Sequence, residues 1–177
     1  MRDDAAAAAQ FVAAMWRKDC GCFATGTGED GVTPNHLLAL DAQLWPLIAL
    51  PRKLLPPDAR GSVLATVEKR LKIGDGFAYS EALEGIWTEG TAQAALTADL
   101  LGQPARGARW RRTVEDRRTA DGSYEATSTA QLPTGFMLQT DPGKPRLYFR
   151  LPHLAAAAWA ALAARRMNPF TGTSGLP

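Results

Sequence analysis

Cysteine and histidine are scarce in this chain of 177 residues, which contains two of each. The cysteines, Cys20 and Cys22, form a lone Cys-x-Cys pair, which cannot supply the four ligands of a closed zinc site. Cysteines so close in sequence rarely form an unstrained disulfide, so we expect two incidental loop thiols. The histidines, His36 and His153, are far apart and lack the partners of a zinc motif. The sequence therefore predicts neither a metal site nor a cofactor.

Long hydrophobic runs are also missing. The most apolar stretch, residues 153–164, is too short and too rich in alanine to cross a bilayer. Near the N-terminus, Asp3 and Asp4 stand where a signal peptide has basic residues, and no leucine-rich segment follows them. We therefore expect no membrane partner, and a cytoplasmic location for the chain as written.

Charge of one sign is not in excess, because 20 basic residues are matched by 18 acidic ones and the formal net charge is +2. No strong overall field favours nucleic acid or an anionic membrane as a partner. Two basic groups, at residues 109–112 and 117–118, alternate with other residues at helical spacing. They predict a solvated helix face rather than a nucleic-acid patch.

Six segments of the chain have the apolar spacing of helices, and glycine or proline separates them. Thr88 is a plausible N-cap for the fourth helix, and Gly102 closes it. The Gly/Pro/Thr-rich stretch after the fifth helix is predicted as a long loop. The predicted helices cover approximately residues 3–18, 35–50, 56–72, 89–101, 104–118 and 153–167.

The connections between these helices alternate in length. Those after helices one, three and five are long, while those after helices two and four are only a few residues. Helices joined by short connections must be antiparallel, so all three long loops lie at one end, the long-loop rim. Helices two, four and six are apolar nearly all round, which is typical of a buried inner layer, whereas helices three and five have a polar face. The pattern predicts an all-α fold of three helical hairpins, with alternating inner and outer helices as in an α/α toroid.

A weak internal repeat supports three copies of one hairpin unit. Asp-Gly pairs begin at Asp30, Asp75 and Asp121 in the three long loops, 45 and then 46 residues apart. Each pair alone is only a common turn sequence. Their regular placement among alternating helices is more informative than any one of them.

Several segments resemble bacterial proteins of the six-hairpin glycosidase-like superfamily. They are Ala24 to Thr27 with Asp30-Gly31, Leu40 to Trp45, Trp87 to Gln93, and Asn168-Pro169-Phe170. The resemblance implies that residues 1–177 form a single domain equivalent to the C-terminal half of an (α/α)6 toroid. It also implies three possibilities: a truncated reading frame, a second chain or copy that completes the ring as in a homodimer, or a half-ring with its own role. Truncation is the expectation we favour, with an N-terminal half missing.

Two carboxylates stand out in the inner helices, whose first turns are expected to line a cleft at the long-loop rim. Glu89 lies in the first turn of the fourth helix, where the helix dipole favours its ionised form unless burial overrides it. That form suits a base, a nucleophile or a charge stabiliser, and the alternative is a capping carboxylate without chemistry. Asp41 interrupts the apolar stripe of the second helix, so it either reaches the cleft or is paired internally.

Asp30 in the first long loop is a third candidate, against its ordinary role in a turn. Glycoside cleavage usually needs two carboxylates across the scissile bond, and Glu89, Asp41 and Asp30 are therefore the candidate catalytic residues. Sugar rings bind to aromatic planes while amides, imidazoles and hydroxyls hold their polar groups. The candidate substrate-binding residues are Trp87, Gln93, His153, Tyr148 and His36.

The sequence thus favours a carbohydrate-active, glycoside hydrolase-like protein that binds a glycan at the long-loop rim. One alternative is a non-catalytic binding or assembly module, in which a partner or a second copy completes the half-toroid. Another is a polysaccharide lyase or sugar epimerase on the same scaffold, for which a lyase needs a base such as His153 and a cation such as Arg150 to neutralise a uronate.

Overall fold

The structure, a computed structural model, describes residues 2–177. In this part of the chain all six predicted helices are present and lie within the predicted segments or one residue outside them. None of them is long and apolar enough to cross a membrane. They are α1 (Arg2–Ala14), α2 (Leu40–Ala49), α3 (Ala59–Arg70), α4 (Thr88–Leu100), α5 (Pro104–Glu115) and α6 (Leu154–Arg165).

The second helix begins five residues later than predicted. The backbone of Asn35 pairs with Thr25 and Gly26, through Thr25 N–H to Asn35 O and Asn35 N–H to Gly26 O. Those hydrogen bonds hold the segment before α2 extended. The helix then starts where Leu40 N–H donates to the carbonyl of Tyr79.

The prediction of an all-α fold is wrong, because three antiparallel β-hairpins connect the helices and make the fold mixed α and β. The third hairpin occupies much of the stretch predicted as a loop, where prolines at 133, 142 and 145 conceal the alternation typical of strands. Its register pairs Leu132 with Tyr148. The strands are β1 (Trp16–Arg17) with β2 (Cys22–Phe23), β3 (Lys72–Ile73) with β4 (Gly76–Phe77), and β5 (Gln131–Leu138) with β6 (Asp141–Phe149).

The two cysteines flank the turn of the first hairpin and form a disulfide, with their Cα atoms 5.2 Å apart. The prediction of incidental thiols is therefore wrong. Gly21 between them has a φ of +59°, which only glycine adopts at little cost. That backbone conformation turns the chain tightly enough to bring Cys20 and Cys22 together.

A repeated unit is visible in the structure, since a tight hairpin follows each outer helix. These hairpins are β1–β2 after α1, β3–β4 after α3, and a turn after α5 that the bridge between Arg118 and Tyr124 closes and that precedes the β5–β6 hairpin. Asp75 and Asp121 lie within such hairpins, whereas Asp30 does not. At the end of each of these hairpins, the backbone of an aromatic residue forms a hydrogen bond with a residue of the next inner helix or with the N-cap residue of that helix. The bonds join Phe23 to Gln43, Phe77 to Thr91, and Tyr124 to His153.

The inner helices α2, α4 and α6 run parallel, with α4 between the other two. Near their starts, Glu89 of α4 lies beside His153 at the head of α6, and a Cβ on Gly90 would meet Leu40 of α2. At the other end, Arg166 lies 3.7 Å from Asp99 of α4. Residues 88–98 are all buried, so α4 is the centre of the core. The first turns of all three inner helices thus lie at the long-loop rim.

We expect Gly90→Ala to lower the free energy of unfolding by about 2–3 kcal/mol, because a Cβ there would overlap the ring of Trp87 and a methyl of Leu40. Gly61→Ala in α3 is the matched control, since a Cβ there would meet nothing within 4 Å. That control should be neutral or stabilise by up to about 1 kcal/mol. Urea denaturation measures both, and equal effects of the two changes would contradict the packing described here.

Candidate functional site

A cavity of about 740 Å³ opens at the long-loop rim between α2 and the β5–β6 hairpin. We call it the rim cleft. Helix α2 contributes Asp41 and Trp45 to its wall, which lie on one face because they are four residues apart. The complete lining is Thr25, Asp41, Ala42, Trp45, Tyr79, Phe136, Met137, Leu138, Gln139, Thr140 and Arg146.

Asp41 places a half-buried carboxylate in the wall of the rim cleft. Burial raises its pKa above the ordinary value, while the N–H of Ala42, 2.8 Å from Oδ1, and the charge of Arg146 lower it. Asp41 therefore lies in the wall of a cavity, while its role there stays a prediction.

Glu89 lies in the first turn of α4 and is 9% exposed. Burial raises its pKa to about 7, and the negative charge of Asp41 adds to that effect. Two interactions lower the pKa of Glu89. They are a hydrogen bond from Gln93 Nε2 to Glu89 Oε1, at 3.2 Å, and the positive charge of Arg146. Burial is thus the largest influence on this pKa, which is the case in which Glu89 suits a proton-donating acid. At neutral pH a large share of the molecules carry a proton on this carboxyl.

His153 is the N-cap of α6, where its Nδ1 accepts from the N–H of Ala156 at 3.4 Å. The same Nδ1 lies 3.9 Å from Oε2 of Glu89, which is too long for a hydrogen bond. Burial lowers the pKa of His153. The imidazole is therefore neutral at pH 7, and its approach to Glu89 is a contact rather than an ion pair.

An aromatic cluster of Tyr79, Trp87 and Tyr148 lies between the rim cleft and α4. The ring of Trp87 is 4.7 Å from that of Tyr79 and 5.7 Å from that of Tyr148, measured between centroids. Because Trp87 is only 1% exposed, neither face of its indole is open to a sugar ring. Burial raises the pKa of Tyr148 to about 12, so its hydroxyl is protonated at all ordinary pH values.

The remaining predicted site residues lie elsewhere or are engaged. Asp30 is exposed and accepts hydrogen bonds from the N–H groups of Val32 and Thr33, as a turn residue does. His36 is exposed, with its Nδ1 2.8 Å from a guanidinium nitrogen of Arg17. Gln93 is fully buried behind Glu89.

Among the rim-cleft residues that are absent from the candidates predicted from the sequence, Trp45 and Arg146 have side chains suited to binding. Trp45 is 38% exposed and stacks on Trp159 with centroids 5.9 Å apart, which leaves part of its indole open to the cavity. Arg146 is exposed and has no ion-pair partner within 4 Å among residues 2–177. The strand period of two could have identified Arg146, because it shares a face of β6 with Tyr148. The segment that contains β6 was instead predicted as a loop, and a loop has no such alternation of faces.

The cleft has no group of acidic, histidine and cysteine side chains suited to a metal. More generally, no three or more such residues are arranged to hold a metal ion anywhere in residues 2–177.

The chain is similar in fold to solved structures of a sugar-cleaving enzyme. One is described as unsaturated glucuronyl hydrolase, responsible for the degradation of glycosaminoglycan, from Bacillus sp. GL1, with a TM-score of 0.52 and 18% identity. Another is an Asp-to-Asn variant named UGL with the saccharide dGlcA-Glc-Rha-Glc, with a TM-score of 0.51 and 18% identity. Each match covers 99% of this chain and 59% of the other, so the chain spans a little over half of their length. No protein-family model and no curated protein matches the sequence.

These likenesses are consistent with a half-toroid arrangement of the helices. At 18% identity they establish a shared fold, and a shared fold hosts many functions.

The raised pKa of Glu89 makes stability depend on pH. A group whose pKa is higher in the folded state stabilises the fold below its unfolded pKa of about 4.5, and that contribution is lost as pH rises through about 7. Glu89→Gln removes this titration. We expect the variant to match the parent near pH 5 and to be more stable by roughly 2–3 kcal/mol near pH 9. Thermal or urea unfolding at the two pH values measures the difference.

Glu84→Gln, a change at an exposed carboxylate, serves as the control and should leave the pH dependence as it is. A Glu89→Gln variant that loses stability equally at pH 5 and pH 9 would show that the folded protein does not hold a proton on Glu89.

Proposed function

We propose that this protein is a carbohydrate-active, glycoside hydrolase-like protein that binds a glycan in the rim cleft. One observation carries the proposal: Asp41 opens onto the cavity while its charge, together with burial, raises the pKa of Glu89 to about 7. Acid-assisted cleavage of a glycosidic bond uses two carboxyl groups, one that donates a proton and one that acts in its ionised form.

In the proposed reaction, Glu89 is the proton donor. Because Glu89 is buried and does not line the rim cleft, the reaction requires Tyr79 or Tyr148 to move aside so that the glycosidic oxygen reaches its carboxyl. The carboxyl proton then moves to that oxygen as the bond from the oxygen to the anomeric carbon breaks. Asp41, whose charge is present while Glu89 titrates, stabilises the positive charge on the sugar or takes a proton from the water that adds. Asp30 has no part in this scheme because its carboxylate is engaged in an exposed turn.

Trp45 and Arg146 provide the binding chemistry. The partly exposed indole of Trp45 can stack on the C–H face of a sugar ring. That role was predicted for Trp87, but Trp87 is buried and its indole is not accessible to a sugar. The guanidinium of Arg146 suits an acidic sugar, because it stands in the wall of the cleft without an ion-pair partner in the described part of the chain.

The choice of first substrates follows from these residues and from the fold likeness. The similar structures are described as unsaturated glucuronyl hydrolase and, for the Asp-to-Asn variant, with the saccharide dGlcA-Glc-Rha-Glc. Oligosaccharides that end in an unsaturated glucuronyl residue are therefore the first substrates to test, with neutral oligosaccharides of equal length beside them.

A lyase is less well supported. A lyase mechanism uses Arg150 to neutralise a uronate. The Nε of Arg150, however, already donates to both carboxylate oxygens of Glu125, at 3.1 and 3.0 Å. The base in that scheme, His153, is occupied as the N-cap of α6.

We expect Glu89→Gln to reduce kcat by about 10²- to 10⁴-fold, since the amide has no acidic proton to donate. Asp41→Asn should give a loss of similar size. Trp45→Ala should instead raise KM by about tenfold with a smaller effect on kcat, because it removes a binding platform. Release of reducing sugar, with Glu84→Gln as the control, measures all four variants.

Full activity of Glu89→Gln would reject the proton-donor role. Absence of turnover on every saccharide, together with glycan binding that Trp45→Ala weakens, would support the non-catalytic binding module in place of the hydrolase.

A further inference from the structure

The two helices at the ends of the molecule both expose apolar surface. In α6, Leu154 is 86% exposed, and Ala158 and Ala161 are exposed on the same face, at spacings of four and seven residues. In α1, residues 5–8 are exposed alanines and Phe11 is 48% exposed. We call these surfaces the α6 face and the α1 face. Contiguous exposed apolar surface of this kind marks a contact site.

The two faces lie at opposite ends of the helix layer. Helix α6 packs mainly on α4. Helix α1 instead lies beside residues Arg52–Leu54, the 3-10 turn that follows α2. Neither face can therefore cover the other within one copy of the chain.

The direction of each helix fixes which ends lie at the same level. Ala24 N–H donates to Met15 O, and neighbouring Phe23 bonds to Gln43 in α2, so the C-terminal end of α1 lies at the long-loop rim. The N-terminal end of α6 lies at that rim too, because His153 contacts Glu89. Helix α1 therefore runs antiparallel to α6.

The charges at the opposite rim are complementary. Asp3 lies in the first turn of α1, and Arg165 lies in the last turn of α6, whereas Arg166 beyond it already lies 3.7 Å from Asp99. If the two helices are laid side by side at equal height, the acidic turn of α1 meets the basic end of α6. In the same arrangement Phe11 comes level with the stretch from Leu154 to Ala158.

We propose that a second copy of this chain covers these faces. The α6 face of each copy packs against the α1 face of the other, so that one two-fold axis generates two equal contacts. Alanines on both faces permit close approach of the backbones, and the antiparallel helix dipoles attract each other. Because each copy uses both of its ends, the assembly closes instead of growing into a filament. A ring of two half-toroids is consistent with the fold likeness, in which this chain matches 59% of a similar protein.

Light scattering coupled to size exclusion tests the proposal on the full chain. We expect a mass twice that of the 19.0 kDa chain. Ala158→Arg should give the monomer, since it places a charge in the centre of the α6 face. Ala65→Arg is the matched control, because Ala65 is likewise an exposed helical alanine but lies on α3. It should leave the dimer intact.

A charge exchange tests the register. Asp3→Arg and Arg165→Asp should each weaken the dimer by about five- to tenfold, because each introduces a like-charge contact twice in the assembly. The double variant should restore most of the parent affinity. Thermal unfolding and circular dichroism confirm that each variant is folded. A monomeric parent chain, or a dimer indifferent to Ala158→Arg, would overturn the proposal, and failure of the double variant to recover would overturn the register. None of these outcomes depends on hydrolytic activity, so the proposed function is tested separately.

Discussion

The burial of α4 on all sides is the constraint on which the rest of the structure depends. A helix in the middle of a layer must carry small side chains where its neighbours approach, and Gly90 with the alanines of α4 allows Leu40 and Trp87 to pack closely. The same burial encloses the one carboxyl in its first turn. Glu89 therefore stands in a medium of low polarity, where its charged form is costly.

The rim cleft follows from the hairpin that covers α2. The β5–β6 hairpin carries Arg146 and Phe136 over the start of α2, and the cavity forms between them and Asp41. The cleft thus combines an open carboxylate, an aromatic surface and a cation, while Glu89 lies behind the aromatic cluster. The charge of Arg146 lowers the pKa of both carboxyls, which limits how far burial can raise them.

The helices could be predicted because each has a long apolar period and a clear stop at glycine or proline. The β5–β6 hairpin could not, since its prolines are typical of loops and its pairing joins residues distant in sequence. Glu89 and Asp41 can be singled out as candidates from the sequence, because a carboxylate in an apolar inner helix is costly unless it is paired or reaches a cavity. Trp45 could not be singled out, because helix spacing alone does not show which inward-facing residue of α2 meets a cavity. The protonation of Glu89 depends on the summed burial by several elements, which local sequence does not reveal.

The proposed chemistry depends on a proton that the fold holds on Glu89 at neutral pH. Carbon-13 NMR of the Glu89 carboxyl, assigned with Glu89→Gln and followed from pH 3 to pH 10, measures that protonation. We expect a midpoint near 7, and a lower midpoint in Asp41→Asn because the neighbouring charge is removed. A midpoint near the ordinary value of 4.5 in the parent protein would show that burial does not hold the proton.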